Sequence, residues 1–106
     1  MSRYIAYRYS ICDVAILTFK CRDTESLHFR KRVARFVNIE AVARRKLGQL
    51  DAVHLLQDLA SPPGNRLEVL DRDRTGQHSI RINDQWRICF VWTPQGPNNV
   101  EIVDYH

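Results

Sequence analysis

The sequence ends on Asp104-Tyr105-His106, an acid, a phenol and an imidazole set directly after the alternating run Val100-Glu101-Ile102-Val103. An imidazole beside Asp104, Glu101 and a terminal carboxylate is expected to hold its proton more readily than a free histidine, because nearby negative charge favours the imidazolium. A histidine protonated near neutrality suits a general acid. Tyr105 adds a hydroxyl donor and a flat ring on which a base can stack. Arg87, inside Q-W-R-I-C-F-V-W, adds a permanent cation suited to the charge that builds on a phosphorane. Together these are the groups that RNA cleavage by its own 2′-hydroxyl calls for. A base takes the 2′ proton, a cation stabilises the transition state, and an acid protonates the leaving 5′ oxygen, with attacker and leaving group held in line. No metal or other cofactor is required. Residue types alone also fit a solvated tail and an ordinary outward arginine on a strand, so both readings stay open at this point.

Those side chains need a scaffold. With 106 residues the chain is long enough for one domain and a modest core, and its 44% apolar content argues against disorder. It carries 16 Lys+Arg against 12 Asp+Glu, for a formal net charge of +4. Only Lys20, Lys31 and Lys46 are lysines. The other basic residues are arginines, whose planar fork matches phosphate oxygens and stacks on bases. A nucleic-acid partner is therefore one reading and a plainly charged surface the other. Cys12, Cys21 and Cys89 are odd in number, scattered and without metal-ligand spacing, which points to a reducing cytoplasm. There is no apolar run of about 18 residues to span a membrane. The start M-S-R-Y-I-A-Y-R-Y-S lacks a secretory apolar stretch.

The periodicities assign the elements. A-I-L-T-F-K (15–20) predicts a short strand. Asp23 or Thr24 is the expected N-cap of a first helix, with Phe29, Val33, Phe36 and Val37 on its apolar face. Asn38 is expected to cap a second helix, whose stripe is Ile39, Val42, Ala43, Leu47 and Leu50, with Arg44, Arg45 and Lys46 largely outside it. The stretch 51–59 extends it by a turn or two, and S-P-P-G-N ends it. Then come R-L-E-V-L as a strand, D-R-D-R-T-G as a turn and Q-H-S-I-R-I as a strand. N-D is the tight turn of a hairpin, and Q-W-R-I-C-F-V-W follows with Trp86, Ile88, Phe90 and Trp92 on its core face. Arg87 falls on the opposite face, expected to point outward, with Arg81 near it across the hairpin. P-Q-G-P-N-N reads as a loop before the last strand. The order implies an α+β class: an N-terminal strand and two helices packed on one face of a mainly antiparallel sheet built from the C-terminal strands.

The stretch L-E-V-L-D-R-D-R-T-G-Q-H-S-I-R-I-N-D-Q-W-R-I-C-F-V-W and the closing V-E-I-V-D-Y-H resemble the HigB toxins, the plasmid-maintenance killer proteins of the RelE/ParE superfamily. The marks are the D-R-x-G turn, the I-R-x-N-x-Q-W-R-I-x-F core and the terminal D-Y-H, and the likeness covers about residues 15–106. The resemblance implies a compact RelE-like fold and a type II toxin. It implies an endoribonuclease that enters the A site of a translating 70S ribosome and cuts mRNA there, inhibiting translation. It also implies a HigA-type helix-turn-helix antitoxin, through which alone the toxin reaches operator DNA. Position by position, Arg87 falls on the phosphate-stabilising arginine. Asp104, Tyr105 and His106 fall on the catalytic terminus, His106 moving protons and Tyr105 orienting RNA. Arg81 falls on a basic position before the hairpin turn. The last strand is thus expected to deliver His106 to the rim of a cleft.

Three departures matter. Many relatives read L-K-G-D-R where this chain has L-D-R-D-R, so Asp71 stands for a lysine that approaches the scissile phosphate and Arg72 for a glycine. An acid there repels RNA, and Arg72 or Arg74 must compensate. Glu68 stands where relatives often carry histidine or glutamate; it is read as plain surface, with a general base as the alternative. Residues 1–14, with Tyr4, Tyr7 and Tyr9 among Arg3 and Arg8, form an atypical N-terminal extension, and 15–106 the single toxin domain. The superfamily also contains ParE-like toxins that bind DNA gyrase without catalysis, and a decayed toxin keeping only its antitoxin contact is a further alternative. The natural start is expected near Val14. Mass spectrometry of the native protein should find a mature N-terminus there, and one at Met1 or Ser2 would count against it.

Overall fold

The computed structural model describes residues 15–105. The expectations for residues 1–14 and for His106 lie outside them. Strands β1 (Glu68–Val69), β2 (His78–Arg81), β3 (Trp86–Thr93) and β4 (Gly96–Asp104) form one sheet in that spatial order, antiparallel throughout. Helices α1 (Arg22–His28) and α2 (Glu40–Leu50) pack on one face of it. The α+β class read from the periodicities is the one observed.

The register explains the core. Ile80, Ile88 and Ile102 lie directly opposite one another on neighbouring strands, a row of branched side chains across the sheet. With Phe90 and Val100 they meet Leu27, Phe36, Ala43, Leu47 and Leu50, all buried. Trp86 closes one end of this core, its ring edge-on to Phe36 at 5.5 Å between centroids. The predicted stripe of α2 is therefore the buried one.

Four local expectations are corrected. The first helix does not run on through Val37. It ends at His28 in a left-handed Arg30 (φ 68°), where the amides of Arg30 and Lys31 turn back onto the carbonyls of Leu27 and Ser26. Phe29 and Val37 are consequently exposed. Residues Ala34–Ile39 form a 3₁₀ turn leading straight into α2, so Asn38 is not its cap. P-Q-G-P-N-N is mostly strand: β4 begins at Gly96, and the pairing shifts between Cys89 and Val91 because Asn99, at φ 54°, bulges out of the ladder. The segment 15–20 is not a full strand either. It lies parallel to β4 with a single bridge at Phe19 and Val100.

That segment is nonetheless tied down. Leu17 N–H donates to the Pro97 carbonyl (2.8 Å), Val100 N–H to that of Thr18 (3.0 Å), and Lys20 N–H to that of Val100 (3.0 Å). The Thr24 hydroxyl of α1 receives the next β4 amide, Ile102 N–H, at 2.9 Å. Asp51, at the end of α2, accepts Ile16 N–H at 2.8 Å. Gly96 sits at φ +137° with the Ala15 carbonyl oxygen where a Cβ would be. Replacing Gly96 with Ala should therefore displace the segment and destabilise the protein by about 2 kcal/mol. Urea unfolding of the variant against wild type measures this.

Candidate active site

The register also builds the sheet's second face. Glu68, Ser79, Cys89 and Glu101 lie opposite one another across all four strands. Arg81, Arg87 and Val103 form the adjoining row. Tyr105 follows the end of β4. Arg81 and Arg87 are thus direct cross-strand neighbours, as the hairpin reading expected.

Arg87 does not point into solvent. It is 8% exposed. Its Nε donates to Ser79 Oγ at 2.7 Å, and its Nη2 donates to the Arg66 carbonyl at 2.7 Å and the Ser79 carbonyl at 3.4 Å. The Tyr105 ring lies 5.8 Å from its guanidinium carbon. Glu68 Oε1 is 3.6 Å from Nη2, with the glutamate half-exposed. The cause of the burial is the chain before β1: Arg66 adopts a left-handed conformation (φ 46°) and lays its backbone over the guanidinium. Glu68, read as plain surface, instead stands beside the central cation.

The chain end is pinned by the β2–β3 turn. Tyr105 N–H donates to the Gln85 carbonyl at 2.6 Å, and Gln85 Nε2 donates to Asp104 Oδ2 at 3.1 Å. Asn83 Oδ1 receives both Gln85 N–H and Trp86 N–H at 2.8 Å, so the turn is held by a side chain rather than by a two-residue hairpin loop. Gln85 had no assigned role, although it stands inside the N-D-Q-W-R stretch. Arg81 is ion-paired with Asp84 in the same turn.

The basic turn after β1 is less convergent. Arg74 folds back onto the sheet, donating to Gln77 at 3.1 Å and to Glu101 at 3.2 Å. Arg72 is exposed in a 3₁₀ turn and has φ 54°, the backbone region glycine favours, which accounts for a glycine in relatives at this position. Asp71 is exposed at the start of that turn. The structure brings Glu68, Arg81 and Tyr105 to Arg87, leaves Arg72 and Arg74 on a neighbouring patch, and sets Asp104 opposite Trp86, on the other face of the sheet, where Gln85 meets it.

Lys46 is a further correction. Expected largely outside the apolar stripe of α2, it is buried, its Nζ donating to Asn65 Oδ1 at 2.7 Å. Burial, and then the nearby cations Arg45, Arg81 and Arg87, push its ammonium below the usual lysine range. Among the described residues no group of three His, Cys, Asp or Glu is arranged to hold a metal ion. Among the described residues no helix is long and apolar enough to cross a membrane.

The chain is similar to proteins of one toxin family. The family model described as "RelE-like toxin of type II toxin-antitoxin system HigB" matches residues 28–106. Toxin HigB-1 of Vibrio cholerae is 40% identical over 78 residues, covering 72% of this chain and 82% of that protein. An uncharacterised protein of Haemophilus influenzae is 36% identical over 63 residues, covering 59% of this chain and 62% of its own. Among solved structures, a chain of the YoeB-YefM complex from Staphylococcus aureus matches with a TM-score of 0.52 at 20% identity, over 88% of this chain and 97% of that one. At that identity the likeness speaks for a shared RelE-like fold.

Ser79→Ala removes the acceptor of Arg87 Nε inside a buried site. It should destabilise the protein by about 2 kcal/mol, read as a lowered urea midpoint at unchanged slope.

Proposed function

The chain belongs to the HigB-like family of RelE-like toxins of type II toxin-antitoxin systems, and on that footing we propose that it is a ribosome-dependent endonuclease that cuts mRNA in the A site. The observation that carries this reading is the Arg87 site. A guanidinium is fixed through Nε and Nη2, with a carboxylate on one side and an aromatic ring above. A preorganised cation of this kind stabilises phosphorane charge without reorganising during the reaction.

The roles follow from position. Glu68 takes the 2′-hydroxyl proton as the 2′ oxygen attacks phosphorus. Arg87 holds the non-bridging oxygens, using the Nη1 edge, which donates no hydrogen bond to the described residues. His106, which follows Tyr105 in sequence, protonates the departing 5′ oxygen, leaving a 2′,3′-cyclic phosphate and a 5′-hydroxyl end. Tyr105 stacks on a base, and Asp104 with Gln85 sets the height of the chain end. Arg81 and Arg72 meet flanking phosphates, and Arg74 supports the patch from its pair with Glu101.

Part of the basic helix surface suits ribosomal RNA. Arg35 pairs with Asp23, and Arg44 donates to the Leu27 and Lys31 carbonyls, so both are engaged within the fold. Arg30, Lys31, Arg32 and Arg45 are exposed. Lys31 and Arg32 line a groove of about 490 Å³ with Asp23 and Ser26. Binding there falls steeply with salt. An antitoxin partner of helix-turn-helix type, carrying the toxin to operator DNA, completes the reading. It is supported by the family and by a structural neighbour that is itself a toxin-antitoxin complex.

The test is induced expression of the full chain, as wild type, His106→Ala and Glu68→Gln, with mapping of new mRNA 5′ ends. Cuts inside codons of translated messages are expected for wild type, falling about a hundredfold or more in each variant. Growth arrest without cuts would favour the gyrase-binding alternative. No arrest would favour a decayed toxin, which the exposed Asp71 beside the site would explain.

A further inference from the structure

Resting on the ribonuclease reading above, we infer that Lys46 and Asn65 are positioning residues that set the Arg87 guanidinium for phosphate, acting through the backbone carbonyl of Arg66. One end of that guanidinium is held by a loop, since Nη2 donates to the Arg66 carbonyl at 2.7 Å. The carbonyl points there because Arg66 is left-handed, at φ 46°. A non-glycine residue keeps that conformation only where its surroundings dictate it.

Asn65, next to it, is what dictates it. Its side chain is wholly buried. Its Nδ2 donates to the Leu59 carbonyl (3.0 Å), to Gln49 Oε1 (3.0 Å) and to the Ser61 carbonyl (3.3 Å). Its Oδ1 accepts from Lys46 Nζ at 2.7 Å. One amide therefore ties α2, the end of the 56–60 turn and the 61–66 loop into a single body.

Lys46 is harder to explain by stability. It is buried, and none of the ion pairs among the described residues includes it. A buried ammonium without a carboxylate is unfavourable, and an apolar side chain of similar length would serve packing better. The ammonium does two things an apolar chain cannot. It gives Asn65 Oδ1 a donor, which keeps Nδ2 turned to the loop carbonyls and to Gln49. It also adds positive charge near Arg81 and Arg87, the cations that together with Arg45 depress its own proton affinity. Among the described residues the charged groups at this end of the sheet include Lys46, Arg45, Arg81 and Arg87, with Glu68, Asp84 and Asp104.

The experiment uses the full chain as wild type, Lys46→Met, Asn65→Ala and Leu50→Ala. Two readouts are taken: the ¹⁵N–¹H signal of Arg87 Nε, assigned with Arg87→Lys, and the saturation kinetics of mRNA cleavage on programmed ribosomes. Lys46→Met should stay folded, shift the Arg87 signal and lose about a hundredfold in kcat with KM unchanged, as misplacing a catalytic group by about 1 Å does. Asn65→Ala should do the same with some loss of stability. Leu50→Ala, which empties the core beneath the same helix, should lose stability and leave the Arg87 signal in place. An unmoved Arg87 signal in Lys46→Met, or a moved signal with undiminished kcat, overturns the inference. If wild type itself cleaves nothing, the ribonuclease reading fails, while a moved signal in both site variants still supports the positioning of Arg87 by Lys46 and Asn65.

Discussion

Burying a permanently charged guanidinium constrains everything around Arg87. An arginine does not lose its proton to escape an apolar environment, so its donors must find acceptors within the fold. Here the acceptors come from two places far apart in sequence, the Ser79 hydroxyl on the neighbouring strand and the Arg66 carbonyl in the loop before β1. Both partners are neutral. The one ion-pair partner of Arg87 among the described residues is the half-exposed Glu68, at 3.6 Å, which offsets its charge only in part. A cation held through Nε and Nη2 presents Nη1, which donates to none of the described residues, to an anionic ligand.

The two faces of the sheet divide the labour through one register. The isoleucine row across β2, β3 and β4 is the floor of the core, and the arginine row one residue away on the same strands is the floor of the site. A slip of one residue would exchange them, burying Arg81 and Arg87 under α2 and exposing Ile80, Ile88 and Ile102. The apolar pattern that stabilises the fold is therefore also what aims the site. The Asn83 side chain and Gln85, which hold the hairpin turn and Asp104, keep that register where β2 turns into β3.

Much of this was legible in the sequence, for a physical reason. The alternation of Trp86, Ile88, Phe90 and Trp92 and the stripe of Ile39, Ala43, Leu47 and Leu50 follow from the strand and helix periods, and these decided class, order and core. The closeness of Arg81 and Arg87 followed from hairpin connectivity. What sequence concealed lies in backbone that departs from the common conformations without a glycine to announce it. Arg30 breaks the first helix, Arg66 covers Arg87, and Asn99 turns an apparent loop into a bulged strand, all at positive φ. The burial of Lys46 was hidden for a related reason. Its partner is an asparagine in a loop, and only the folded path of that loop brings the two together.

The segment beside β4 bears on how this protein keeps apart from copies of itself. An outer strand of nine residues is a ready template on which another chain can add, because its outward amides and carbonyls are unpaired. In β4 they are taken one after another by the chain's own elements: the Pro97 carbonyl by Leu17, Val100 by Thr18 and Lys20, and the Ile102 amide by the Thr24 hydroxyl. The opposite border is β1, only two residues long, and there brevity does the protecting despite an exposed Val69. The long border is occupied and the open border is short, so the sheet offers little to strand-by-strand aggregation at either side.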